Sequence, residues 1–239
     1  MSDLYTKGYT VIRNAVSKKI LSFMAMQINM QKDYENFSKG IPINSYIAFD
    51  PNQPLSQGDD QVPNSYSFSR TFCTESLLMI MKPFMEAQTN KKLLPTYSYG
   101  RIYFKDAILH IHKDRPSCEF SATLPIETRG QNWEVYFQDL NGKVNGVTLN
   151  EGDICIYRGT LVNHWREKFE GNYYTQLFLH YVDMNGPHVD WAFDKRPMLG
   201  APANTAHDTT QQRNDIIKLN NTHGNMAYFD QNQNENLEW

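Results

Sequence analysis

From Leu94 to Val182 the chain breaks into short runs rich in Tyr, Ile, Val, Phe and Thr, parted by turn residues such as Asp114-Arg115-Pro116, Asn141-Gly142 and Glu151-Gly152-Asp153. β-branched and aromatic side chains suit a pleated, half-buried surface, whereas Gly, Asn, Asp and Pro supply the backbone angles of tight turns. The pattern predicts strands over Thr96–Phe104, Ala107–His112, Glu119–Ile126, Trp133–Gln138, Gly146–Thr148, Ile154–Arg158 and Tyr173–Val182. A hairpin is expected to turn at Asn141-Gly142. Sandwiches and barrels of 239 residues commonly form one domain, so the chain reads as a single domain with a β core over about 94–183.

Residues 1–93 read as a helical buttress for that core. Gly8-Tyr9-Thr10-Val11-Ile12 has the composition of a strand, and Ser17 is placed to cap a helix from Lys18 through about Gln31. Its stripe of Ile20, Leu21, Phe23, Met24 and Ile28 is expected to pack on the sheet. Gly40 to Ser69, with Pro, Gly, Asn, Asp and Ser and little periodicity, reads as a long loop over the mouth of a site. A second helix, Thr74 to Gln88, contains Pro83, which should kink or shorten it. From 184 to 239 the polar, aperiodic chain is expected to be an irregular extension.

A net charge of −3 offers no general attraction for nucleic acid or acidic membranes, and no apolar run approaches the roughly 20 residues needed to cross a bilayer. The N-terminus lacks a basic region followed by an apolar one, so a soluble, unsecreted protein is expected. Cys73, Cys118 and Cys155, odd in number and irregular in spacing, argue against a disulfide framework and fit the cytoplasm.

The chemistry is concentrated in His112-Lys113-Asp114 and His164. In extended chain, residues two apart share a face, so His112 and Asp114 can grip one ion together. A histidine from a distant strand would complete one face of an octahedron and leave the other open, the 2-His-1-carboxylate arrangement of non-haem iron. The same donors suit zinc, and equally they could be ordinary hydrogen-bonded residues with Asp114 forming a turn. If His164-Trp165-Arg166 is extended, Arg166 projects into the same cavity as His164, where its guanidinium fork would suit a carboxylate; the other reading is a surface partner for Glu167 or Glu170. Tyr103, on the preceding strand, is placed to reach that carboxylate, or else is core packing. His110 shares the parity of His112 and reads as a core or supporting residue.

Taken together, Tyr103, Leu109, His112-x-Asp114, the run Arg115 to Leu124, Gly152-Asp153, Tyr157-Arg158-Gly159 and His164-Trp165-Arg166-Glu167 resemble the Fe(II)/2-oxoglutarate-dependent dioxygenases, in their prolyl 4-hydroxylase-like and phytanoyl-CoA dioxygenase-like branches. The opening strand Gly8 to Ala15 looks similar as well. The resemblance implies a mainly β fold with flanking helices around a double-stranded β-helix (jelly-roll, cupin-like) core. It further implies iron(II) on His112, Asp114 and His164, and 2-oxoglutarate as co-substrate with its far carboxylate on a basic residue. The activity implied is hydroxylation of an unactivated C–H bond in a prolyl or peptidyl side chain or a small molecule. Two positions depart from the pattern. Tyr173, Tyr174 and Thr175 stand where that basic residue usually lies, making Arg166 the substitute, and Asp106 stands where a turn Gly is common. Specificity is expected from the 40–69 loop, Tyr157, Trp165 and Trp191. Two competing classes are a non-catalytic cupin-like binding module and a zinc hydrolase, the latter needing a nearby base such as Glu167.

Overall fold

A computed structural model describes residues 2–38 and 61–200. A short helix, α1 (Asp3–Thr6), leads into strand β1 (Tyr9–Ile12) and the long helix α2 (Lys18–Ser38). Strand β2 (Ser65–Ser69), helix α3 (Phe72–Thr89) and strands β3 (Leu93–Phe104), β4 (Leu109–His112) and β5 (Phe120–Arg129) follow. The chain continues through β6 (Val135–Gln138), β7 (Val144–Val147), β8 (Ile154–Tyr157), β9 (Asn163–Arg166) and β10 (Tyr173–Asp183), and then a 3-10 segment, Val189–Lys195.

The strands form two antiparallel sheets. One has six strands in the order β1-β8-β5-β10-β3-β2, and the other has four in the order β4-β9-β6-β7. Strands β3 and β10 are buried almost throughout because both faces are covered. Their outer residues Ile102, Phe104, Leu177, Leu179 and Tyr181 pack under α2 and α3 with Leu21, Met24, Ile28, Leu78, Met81 and Met85. Their inner residues meet the smaller sheet: Tyr103 and Tyr174 pack on Leu109 and Trp133, and Tyr157 of β8 packs on Val135 and Phe137. Removing apolar surface from water between these layers is the main force holding the two sheets face to face.

Several expectations change. Residues 65–69 form an edge strand paired with β3, their Tyr66 and Phe68 supplying alternate core contacts that a polar composition concealed; residues 40–60 lie outside the described chain. Helix α2 runs on to Ser38, and α3 continues through Pro83 to Thr89. Pro83 removes one helical N–H, while buried Leu77, Leu78, Met81 and Met85 hold the helix to the sheet on both sides of it. Thr71 caps α3 by accepting from the Thr74 amide at 3.1 Å. Asp106 adopts φ of 70°, the left-handed conformation that glycine favours, and its carboxylate is held by Lys168 at 2.6 Å. Of the C-terminal extension, the part to residue 200 includes the 3-10 segment, anchored by the buried pair Arg196–Glu75.

Candidate metal centre

Strands β4 and β9 pair with His112 opposite His164, so the two imidazoles come from adjacent strands of the smaller sheet. The register of β4 shifts between Leu109 and His112, a bulge that turns both of these residues inward and leaves His110 and Ile111 exposed. Simple alternation, which assigned His110 the parity of His112, fails at this bulge. Asp114 follows the strand end, where its amide donates to the Gly159 carbonyl at 2.9 Å and draws the β4–β5 connection against the turn after β8.

The three side chains converge. Asp114 Oδ1 lies 3.7 Å from His112 Nε2 and 3.6 Å from His164 Nε2, and one donor atom from each residue falls within 4.8 Å of the others. The two rings stand 4.2 Å apart at 51°. His112 Nδ1 donates to the His110 carbonyl at 2.8 Å and His164 Nδ1 to the Val162 carbonyl at 3.3 Å. A carbonyl only accepts, so each Nδ1 carries the hydrogen and each Nε2 presents its lone pair toward the aspartate. That orientation is what a metal-binding histidine requires of its outer nitrogen.

Electrostatics favour the same state. Burial pushes the His164 imidazole down to about 4, and burial followed by the neighbouring His164 lowers His112. Both rings are therefore neutral at pH 7. Burial raises the Asp114 carboxyl to about 6, against the lowering pull of His112 and of the Tyr157 hydroxyl, and its buried Oδ2 has no hydrogen-bond partner of ordinary geometry among the described residues. A desolvated carboxylate with two neutral nitrogen lone pairs beside its Oδ1 is a donor set that suits a divalent metal.

A cavity of about 240 Å³ opens beside this group. Tyr97, Tyr99 and Arg101 of β3, Phe178 and His180 of β10, Tyr157 of β8, Leu109 of β4 and Gln61 line it together with the triad.

By sequence alone the chain matches no protein-family model and no curated protein. Its structure does have counterparts. It is similar to a prolyl-4-hydroxylase from Pseudomonas putida, with a TM-score of 0.52 and 13% identity over 76% of this chain and 95% of that one. It also resembles a 2OG-Fe(II) oxygenase family oxidoreductase from Burkholderia pseudomallei, with a TM-score of 0.54 and 15% identity over 77% and 88% of the two chains. The fold is that of the 2-oxoglutarate and iron(II) oxygenases. HygX from Streptomyces hygroscopicus, with nickel and 2-oxoglutarate bound, shares the same oxygenase fold at a TM-score of 0.53 and 12% identity over 76% and 85%. The two facing sheets are thus the double-stranded β-helix anticipated from the motifs.

Within this oxygenase fold, neither Arg166 nor Tyr103 lines the cavity. Arg166 does share the inward face of β9 with His164, but Leu109, its cross-strand partner, forms the wall at that level. The Arg166 guanidinium instead donates to the Trp133 carbonyl at 2.5 Å and to Gln176 Oε1 at 3.2 Å, between the rings of Trp133 and Tyr174. Tyr103 is fully buried edge-on to Trp133, and its hydroxyl has no hydrogen-bond partner among the described residues. The arginine that lines the cavity is Arg101, which donates to Gln61 at 2.7 Å and stacks over Tyr99. Sequence reasoning missed Arg101, although it shares the parity of Tyr97, Tyr99 and Tyr103 on one predicted strand. Of the residues expected to set specificity, Tyr157 lines the cavity; Trp165 stacks on Tyr136 and Trp191 lies under Lys195. Glu167 spends its carboxylate on the Trp165 indole, away from the centre.

Proposed function

We propose that the protein is an Fe(II)- and 2-oxoglutarate-dependent oxygenase in which His112, Asp114 and His164 hold the metal. The observation that carries this reading is the pair of Nε2 atoms turned onto Asp114 Oδ1, each fixed by an Nδ1–H to a backbone carbonyl. The metal, once bound with its co-substrate, supplies the oxidising chemistry for hydroxylating an unactivated C–H bond. The chain's own residues bind and orient. Arg101 receives the far carboxylate of 2-oxoglutarate, in place of Arg166, because its guanidinium reaches the cavity and a fork of donors matches a carboxylate. Tyr97, Tyr99 and Phe178 offer aromatic faces to the reacting end of a substrate, and Gln61 stands beside them in the lining.

The substrate class is a prolyl or peptidyl side chain or a small molecule; among proteins of similar fold are a prolyl-4-hydroxylase and HygX with hygromycin B bound. A zinc hydrolase would need a general base, and the cavity's remaining imidazole, His180, is a poor one with its pKa pushed down to about 3 by burial and then Arg115. The test is anaerobic visible spectroscopy on metal-free protein given iron(II) and then 2-oxoglutarate, beside Asp114→Ala. A charge-transfer band that needs both additions and vanishes in the variant supports the reading; tight zinc retention with no band defeats it.

A further inference from the structure

Helix α2 buries Leu21, Met24 and Ile28 against the sheet, yet its opposite face is also apolar. Phe23, Met26, Met30, Tyr34 and Phe37 stand out from it, each between 63% and 71% exposed. At 100° per residue the five fall in one narrow stripe along the helix, the geometry of a packing seam and unlike scattered surface apolars. The stripe has a further property. Its steps are three, four, four and three residues, a pattern symmetric about Met30.

We propose that this face is the interface of a homodimer in which α2 packs antiparallel against α2 of a second copy, with the two-fold axis at Met30. A two-fold interface must be self-complementary, each residue meeting the mirror position of its partner. Antiparallel pairing about Met30 sets Phe23 against Phe37, Met26 against Tyr34 and Met30 against itself, so every exposed apolar side chain meets another. Asp33, beside the stripe, meets the amide of Gln27, and no like charges face each other within the segment. The side-chain types are those enriched at interface centres, aromatic and Met. Five side chains about two-thirds exposed cover about 500 Å² per copy and about 1,000 Å² per pair, below the size of stable interfaces and within that of weak, transient ones. A reversible dimer follows. A membrane surface does not require a mirror-symmetric stripe and favours basic flanks; Lys18 and Lys19 stand only at the N-terminal end of this one, which is bordered along the rest of its length by Gln27, Asn29 and Asp33.

The test is the mass of the full chain by light scattering and sedimentation equilibrium over a concentration series. The wild type is expected to rise from 27.8 kDa toward twice that value. Met30→Glu and Met30→Lys each place two like charges on the axis and are expected to remain monomeric, with circular dichroism matching the wild type and a Tm matching that of the wild type at the lowest, monomeric concentration. An equimolar mixture of the two variants should regain the doubled mass, an outcome only a pairing of residue 30 with itself produces. A monomeric wild type at every concentration overturns the proposal. So does a dimer that survives in both variants, a well-folded mixture that stays monomeric, or a monomer that instead sediments with phosphatidylcholine vesicles.

Discussion

Gly159 and Asp114 are in such close register that a β-carbon on the glycine would come within 2.5 Å of Asp114 Oδ2, while the Gly159 carbonyl accepts the Asp114 amide at 2.9 Å. The absence of a side chain at 159 is what admits the carboxylate to the place where both imidazoles meet it. Such a β-carbon would also run into the Cys118 carbonyl, so Gly159→Ala should push away both Asp114 and the turn that leads into β5. Its expected effect is a fall of about tenfold to a hundredfold in nickel(II) or iron(II) affinity. Calorimetric titration with nickel(II) checks this, and an unchanged affinity would mean that Asp114 is not a ligand.

The two arginines near the barrel interior should separate cleanly. Arg101→Gln is expected to weaken 2-oxoglutarate binding to nickel-loaded protein by at least about tenfold with metal affinity unchanged, since a charge-assisted, two-pronged contact is lost. Arg166→Gln should instead cost about 2 kcal/mol of stability, because the Trp133 carbonyl and Gln176 lose a buried donor. Titrating 2-oxoglutarate by calorimetry and urea unfolding distinguish them. The reverse pattern would return the co-substrate to Arg166.

His180 makes the metal-free protein sensitive to mild acid. Burial, and after it the Arg115 guanidinium, pushes its imidazole down to about 3, and its Nδ1 pairs with Ser121 Oγ at 2.8 Å. The folded pKa lies below the unfolded value near 6.5, so protons favour the unfolded chain. This contribution to stability is complete above about pH 6.5 and is lost progressively as pH falls toward 3, by up to about 1.4 kcal/mol per pH unit. Urea midpoints measured between pH 7.5 and pH 4.5 should decline, with a shallower slope in His180→Asn; parallel slopes would show that His180 is not the group responsible.

Asp194 clamps the 3-10 segment to the site. It accepts from Arg115 at 2.5 and 2.8 Å and from Arg70 at 2.5 Å, and Arg115 in turn lies over the ring of Tyr97 in the cavity wall. Burial alone would raise the carboxyl, but the hydrogen bonds from Arg115 and Arg70 hold it below its ordinary value. Phe193, Asp194 and Lys195 all adopt positive φ, a costly run for residues other than glycine, which the clamp helps to sustain. Asp194→Asn should destabilise by on the order of 2 kcal/mol, less than a fully buried pair because Arg115 is partly exposed. Because a depressed carboxylate stabilises only while ionised, the gap between variant and wild type should persist at neutral pH and close below the usual carboxylate range. Thermal melts at pH 7 and pH 3 check both halves.

The residues of the chain were enough to mark out the β core, its helical flank and the converging set His112, Asp114 and His164. Those signals are local: side-chain type sets the preference for strand or helix, and turn residues punctuate it. What the tertiary structure alone decided is non-local. The bulge in β4 exposes His110 and turns Leu109 inward, because its partner β9 sets the register. Cross-sheet packing sends Arg166 to Trp133 and Gln176 and leaves Arg101 to face the cavity. Ser65–Ser69 is a strand because the open edge of β3 offers it a ladder, and α2 keeps a second apolar face that no residue of its own sheet covers. Each of these depends on contacts between segments distant in sequence, where pairing and packing override the preferences a single segment carries.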